Sequence, residues 1–222
     1  MYGLAAYFLW GLFPLYWPLL EPASPVELVA HRFVWSLLVV VAILALTRNW
    51  GWLRPFLHDR ASQWRLSLAA ALISVNWGLY IYGVNSGHVV ETSLGYFINP
   101  LVTILIGVAV LRERLRRVQW LAVGLAAVAV LVLAVDYGRP PWIALGLAFS
   151  FAIYGLLKNQ IGPRVGAVAS LTVESAVMFV PALAFLLLLE LHGDGNFRHQ
   201  GLGHAALLAS AGVATAVPLL FF

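Results

Sequence analysis

Long apolar runs separated by short polar or basic segments make up most of the chain. A helix crosses the hydrocarbon of a bilayer, about 30 Å thick, with about 20 mostly apolar residues. Runs of that kind predict eight spans, over residues 2–20, 25–46, 64–84, 93–111, 118–135, 142–157, 167–189 and 205–222. Stretches such as 118–135 lack the polar-apolar alternation of membrane barrel strands. The pattern therefore predicts an all-α, polytopic transmembrane helical bundle. The first run follows Met1 with no basic segment and no small-residue cleavage site, and Pro14, Pro18 and several aromatics interrupt it. It reads as a retained helix, not a signal peptide.

Composition strengthens this picture. Hydrophobic residues make up 62% of the 222 positions and charged residues 10%, against about one quarter charged in soluble domains. A water-soluble core has no use for so much apolar surface. With no cysteine, disulfide and thiolate-metal frameworks are excluded. The basic residues sit between the runs, so the net charge of +4 reports topology and not a nucleic-acid surface. Arg48, Arg54, Arg60, Arg65, Arg112, Arg114, Arg116, Arg117, Lys158 and Arg164 fall on one side of the predicted spans, and only Arg32, Arg139 and Arg198 on the other. Basic loops stay in the cytoplasm, which puts the amino terminus there.

A repeat is also visible. Trp10-Gly11 recurs as Tyr154-Gly155 and Val26-Glu27 as Val173-Glu174, 144 and 147 residues apart. A unit of five helices, an odd number, places its second copy upside down, the plan of many secondary transporters. Residues 1–138 then form a first five-helix repeat and 139–222 an incomplete second one of about three helices. On this plan the chain is expected to be a fragment lacking about two helices, or roughly sixty residues.

Polar groups within hydrocarbon are costly and are functional candidates by default, with interfacial snorkelling or helix packing as the alternative. In the second span Glu27 and His31 share a face, and Arg32 lies about 10 Å inside the outer end. They read either as an interfacial ion pair or as charges that meet a solute or gate the outer mouth. Asn76, Trp77 and Tyr80 in the third span, and Tyr96, Asn99, Pro100 and Thr103 in the fourth, form polar and aromatic stripes suited to an amphiphilic organic solute. Pro100 frees a backbone carbonyl in mid-helix. Glu91 begins that span. Glu174 in the seventh span is either a structural partner of Lys158 or Arg164, or a carboxylate that couples transport to protons. Under the repeat, Glu27 and Glu174 are symmetry mates and candidate gates. The cluster from Arg112 to Arg117 reads as lipid anchoring. No His-Glu-x-x-His motif and no Walker lysine loop occurs, and the spacing of His192, His199 and His204 is a weak metal signal.

The residues Trp10-Gly11, His31-Arg32 with Trp35-Ser36, Asn76-Trp77, Val84-Asn85 with His88, and above all the run from Glu91 through Ser93-Leu94-Gly95-Tyr96-Phe97-Ile98-Asn99-Pro100 to Leu101, resemble the RarD group of EamA-type permeases in the drug/metabolite transporter superfamily. Glu113-Arg114, Gln119-Trp120-Leu121-Ala122 and the segment 144–151 extend the resemblance over essentially the whole chain. It implies two inverted five-helix repeats, a bacterial inner-membrane location and the export or exchange of small metabolites or drugs. Pro18 departs from the group, whose members usually carry Lys there.

The resulting expectation is a secondary-active transporter working by alternating access, and not an enzyme. Trp10, His31, Arg32, Asn76, Trp77, Tyr80, Tyr96, Asn99, Pro100 and Tyr154 are expected along the solute pathway, with Glu27, Glu91 and Glu174 in coupling or gating. The expected partners are a small organic solute and the lipid bilayer, with protons as a candidate coupling ion and a homodimer as a candidate assembly. No cofactor, metal or nucleic acid is expected. The alternatives are a membrane enzyme using His31, His88 and Glu91 on a lipid-linked substrate, and a non-transporting assembly partner.

Overall fold

The computed structural model describes residues 2–136, 138, 140–162 and 165–221, and every element among them is helical. Arg139 and Arg164, two of the residues counted for topology, lie outside the described residues.

The helices are α1 (Tyr2–Gly11), α2 (Phe13–Tyr16), α3 (Pro25–Thr47), α4 (Leu53–His58), α5 (Arg60–Asn85), α6 (Val89–Val110), α7 (Arg117–Asp136), α8 (Trp142–Ile161), α9 (Ala167–His192) and α10 (Gly201–Phe221). Seven of them, α3 and α5 to α10, are long and apolar enough to cross a membrane. The first predicted span is different. It is broken into α1, α2 and a 3-10 turn over Trp17–Leu20. Pro14 and Pro18 sit at the first or second positions of the two short pieces, where a missing N–H costs least. The short α4 is also absent from the predicted spans.

Local chemistry sets the ends. Ser24 caps α3 by accepting from Glu27 N at 3.2 Å, with Pro25 as the first helical residue. Asp59 caps α5, accepting from Ser62 N at 3.1 Å. Gly193 closes α9 at φ +79°, a left-handed turn that lets Asp194 N reach Leu189 O at 3.0 Å.

Packing brings distant segments together. α3 lies against both α9 and α10, while α8 lies against both α5 and α6. Gly95 permits the α6–α8 approach, since a Cβ there would stand 3.1 Å from Ala144 O. Gly212 does the same between α10 and α3, where a Cβ would meet Ser36 N at 2.7 Å. α7 touches mainly α6 and stays at the edge.

Candidate functional site

Arg32 is the centre of the most unusual environment. It is 2% exposed, and its Nε donates to Thr215 Oγ1 on α10 at 2.9 Å. Three aromatic rings enclose the guanidinium: Trp77 with its centroid 3.6 Å from Cζ, Trp17 at 4.8 Å and Phe13 at 5.9 Å. Such contacts offset part of the cost of burying the charge. Tyr16, Tyr80 and Tyr96 lie close enough to feel that charge, and Tyr80 meets Tyr96 edge-on at 5.8 Å. The broken amino-terminal helix therefore has a role: its kinks deliver Phe13, Tyr16 and Trp17 to this chamber.

Of the two readings of this cluster, the ion pair of Glu27 with Arg32 is not formed. Glu27 Oε1 accepts from Asn196 N and Oε2 from Asn196 Nδ2, both at 2.8 Å, so its carboxylate holds the loop between α9 and α10. Beside it, His31 Nδ1 accepts from Trp35 Nε1 at 3.2 Å. Phe197 of the same loop stacks on His31 at 5.2 Å and on Trp35 at 5.9 Å.

The other candidates separate into distinct places. Asn76 Nδ2 donates to Leu147 O and Ser150 Oγ, each at 3.0 Å, which ties α5 to α8 and matches the helix-packing alternative. Glu91 Oε1 accepts from Ile143 N at 2.8 Å, at the amino end of α8, where a carboxylate is favoured by the helix dipole. It does not join Glu27 or Glu174. Glu174 Oε1 accepts from Lys158 Nζ at 2.8 Å and from Ser170 Oγ at 3.1 Å, and Oε2 from Tyr154 OH at 3.3 Å. Lys158 also donates to Ser170. The lysine comes from the last turn of α8 and not from the following loop.

Tyr154 belongs to the same apolar cluster as Trp77 and Phe33, the last two stacked at 5.2 Å, so the Glu174 network and the Arg32 chamber adjoin through Trp77. Asn99 is half-exposed, Pro100 is exposed and Tyr96 is 49% exposed; Thr103 Oγ1 donates to Asn99 Oδ1 at 3.3 Å. Of these, Tyr96 is tied to the chamber by its edge-on contact with Tyr80. Trp10 is half-buried on α1, which packs on α10. His199 Nδ1 stands 3.8 Å from Glu190 Oε2. Among the described residues there is no group of three or more metal-ligating side chains placed to hold an ion.

Sequence reasoning does not single out Phe13, Trp17, Thr215, Asn196 or Phe197. The first two carried a signal, being aromatics clustered around two prolines at the mouth of a span. The last three reach α3 from 183 and about 165–169 residues away, and nothing local marks them.

Comparison with known proteins agrees with this helical membrane architecture. Residues 1–135 match the EamA-like transporter family. The chain is 59% identical over 222 residues to Protein RarD of Streptomyces exfoliatus, covering 100% of this chain and 70% of that protein. It is 41% identical over 223 residues to Protein RarD of Escherichia coli strain K12, covering 99% and 74%. It is 42% identical over 229 residues to the uncharacterized transporter YojE of Bacillus subtilis strain 168, covering 100% and 74%. No solved structure matches it. Seven apolar helices, the run from Glu91 to Leu101 and matches spanning the chain lead to one assignment: it belongs to the EamA-like transporter family, as a multi-pass membrane protein.

Proposed function

We propose that the protein is a secondary-active transporter of small organic solutes that works by alternating access, in the bacterial inner membrane with its amino terminus in the cytoplasm. The observation that carries this reading is the chamber around Arg32. It is built from α2, α3, α5 and α6 in the first half and α10 in the second, so a solute there touches both halves at once. Transport by rocking one half against the other needs a site of this kind. Orientation is supported by the clustering of basic residues, Arg48 to Arg65 and Arg112 to Arg117, on one side of the spans, against Arg139 and Arg198 in the segments on the other.

Two inverted repeats, 1–138 and 139–222, make sense of the packing. In such an arrangement α1 with α2 corresponds to α8, α3 to α9, and α5 to α10. The contact of α1 with α10 then mirrors that of α8 with α5, and α3 with α10 mirrors α9 with α5. Glu27 and Glu174 become equivalent carboxylates, each 2% exposed, one latched to a loop and the other to Lys158. They act as gates at opposite ends of the pathway, with Glu174 the candidate for proton coupling.

The test is flux of labelled amphiphilic solutes into proteoliposomes carrying the full-length protein, with and without a proton gradient. Trp77→Ala and Tyr96→Ala are expected to lower flux at least tenfold, and Asn99→Ala severalfold. Unchanged flux in all three variants contradicts the pathway. Glu174→Gln is expected to flatten the dependence of flux on pH; a dependence that survives removes Glu174 from coupling.

A further inference from the structure

We infer that the Arg32 chamber is an anion site, and that the solute it takes is a small organic carboxylate. This rests on the transport reading for the solute's passage, but not for its binding.

Most of the donors around Arg32 are unmatched among the described residues. Arg32 carries five N–H groups, and only Nε has a hydrogen-bond partner among the described residues, Thr215 Oγ1. No carboxylate of those residues lies within ion-pair distance of it. The buried acids are engaged elsewhere: Glu27 with Asn196, Glu91 with the backbone of Ile143, and Glu174 with Lys158. Trp17, packed beside the guanidinium, has its Nε1–H buried with no acceptor among the described residues. Tyr80 and Tyr96 bring two more hydroxyls near the charge. Thr215 adds nothing acidic, since its hydroxyl donates to Ala211 O at 2.8 Å while it accepts from Arg32.

The chamber thus has an excess of donors and of positive charge, and its walls are aromatic. A buried cation without a counter-ion is costly, and the three ring faces offset only part of that cost. An oxyanion entering the chamber supplies the missing charge and accepts from the Nη groups. A planar carboxylate fits the guanidinium fork two oxygens to two nitrogens, while its organic body packs on Trp17, Trp77 and Phe13. A cationic amphiphile is repelled by the guanidinium, and a neutral one can accept from these donors but does not supply the missing charge.

The experiment measures equilibrium binding to purified full-length protein in detergent, where no transport occurs, by the change in tryptophan fluorescence. The probes are benzoate, phenylacetate and 2-naphthoate, each set against its amide, with benzylamine and inorganic phosphate as further arms. At least one carboxylate is expected to bind tenfold or more tighter than its amide. Arg32→Gln is expected to abolish that preference, and Arg32→Lys to keep part of it. Trp17→Phe, which keeps an aromatic ring but removes the indole N–H along with part of the ring surface, is expected to weaken the carboxylate threefold to tenfold. If every amide binds as well as its acid, or if Arg32→Gln keeps the preference, the assignment fails. Binding of phosphate with no carboxylate also overturns it. Carboxylate binding that depends on Arg32, together with no flux of any solute in proteoliposomes, leaves the anion site standing and removes the transport reading instead.

Discussion

Two helices of similar length mark the extremes of the molecule. α3 carries Glu27, His31, Arg32 and Ser36, and all four are buried. α7 has no charged residue between Arg117 and Asp136, yet Val123 is its single buried position among the described residues, while Leu121, Leu125, Leu131 and Val132 are each more than 60% exposed. In water this would be inverted. In lipid, apolar surface gains nothing by leaving the solvent, and polar groups are what must be withdrawn and paired. The difference teaches that burial in this chain follows polarity: the inside is found by asking which residues lipid refuses.

The comparison is open to breaking at four points. Leu125→Arg places a charge mid-way along the exposed face of α7 and is expected to cost about 3 kcal/mol of insertion, read with a glycosylation reporter. A cost near zero means that this face does not meet lipid. Next, Gly212→Ala pushes a methyl into the backbone of α3 at Trp35 and Ser36 and is expected to cost about 2 kcal/mol through overpacking, seen as earlier thermal unfolding in nanodiscs. Asn196→Ala removes one of the two donors to Glu27 but leaves the backbone N–H. A loss of about 1.5 kcal/mol is expected, together with faster proteolysis of the loop between α9 and α10. The smallest effect belongs to α7: Gly124 has no neighbour within 4 Å of a built Cβ, so Gly124→Ala is expected to stabilise by about 0.5 kcal/mol through helix propensity. If Gly124→Ala destabilises as much as Gly212→Ala, the contrast between the two helices is lost.

Much of the fold was legible because a spanning helix announces itself over a whole run of residues. The seven long helices fall where the apolar runs predict them: α3 starts at the predicted residue 25, and α5 begins four residues early, next to its cap Asp59. The resemblance carried by the run from Glu91 to Leu101 is likewise borne out by the match to EamA-like transporters. The break in the first span was written in Pro14 and Pro18, but its purpose was not. Pairing between helices was the illegible part: leucines and valines in lipid do not specify a neighbour, so nothing in the sequence tied Arg32 to Thr215 or Glu27 to Asn196. Spacing along one helix brought Glu27, His31 and Arg32 together, and yet they turn to different partners. Asn76 taught the reverse lesson, since a polar residue on an aromatic stripe proved to be occupied in holding α5 to α8.

The edge position of α7 has one more consequence. Its uncharged residues 118–135 rise about 27 Å, slightly less than the ~30 Å of an average hydrocarbon layer, and charges stand at both ends. With few packed neighbours, this helix has little besides the surrounding lipid to set its tilt. A stretch shorter than the layer around it is met by local thinning of the bilayer or by snorkelling of flanking residues such as Arg117, so the thickness of the lipid becomes a variable in how this helix settles.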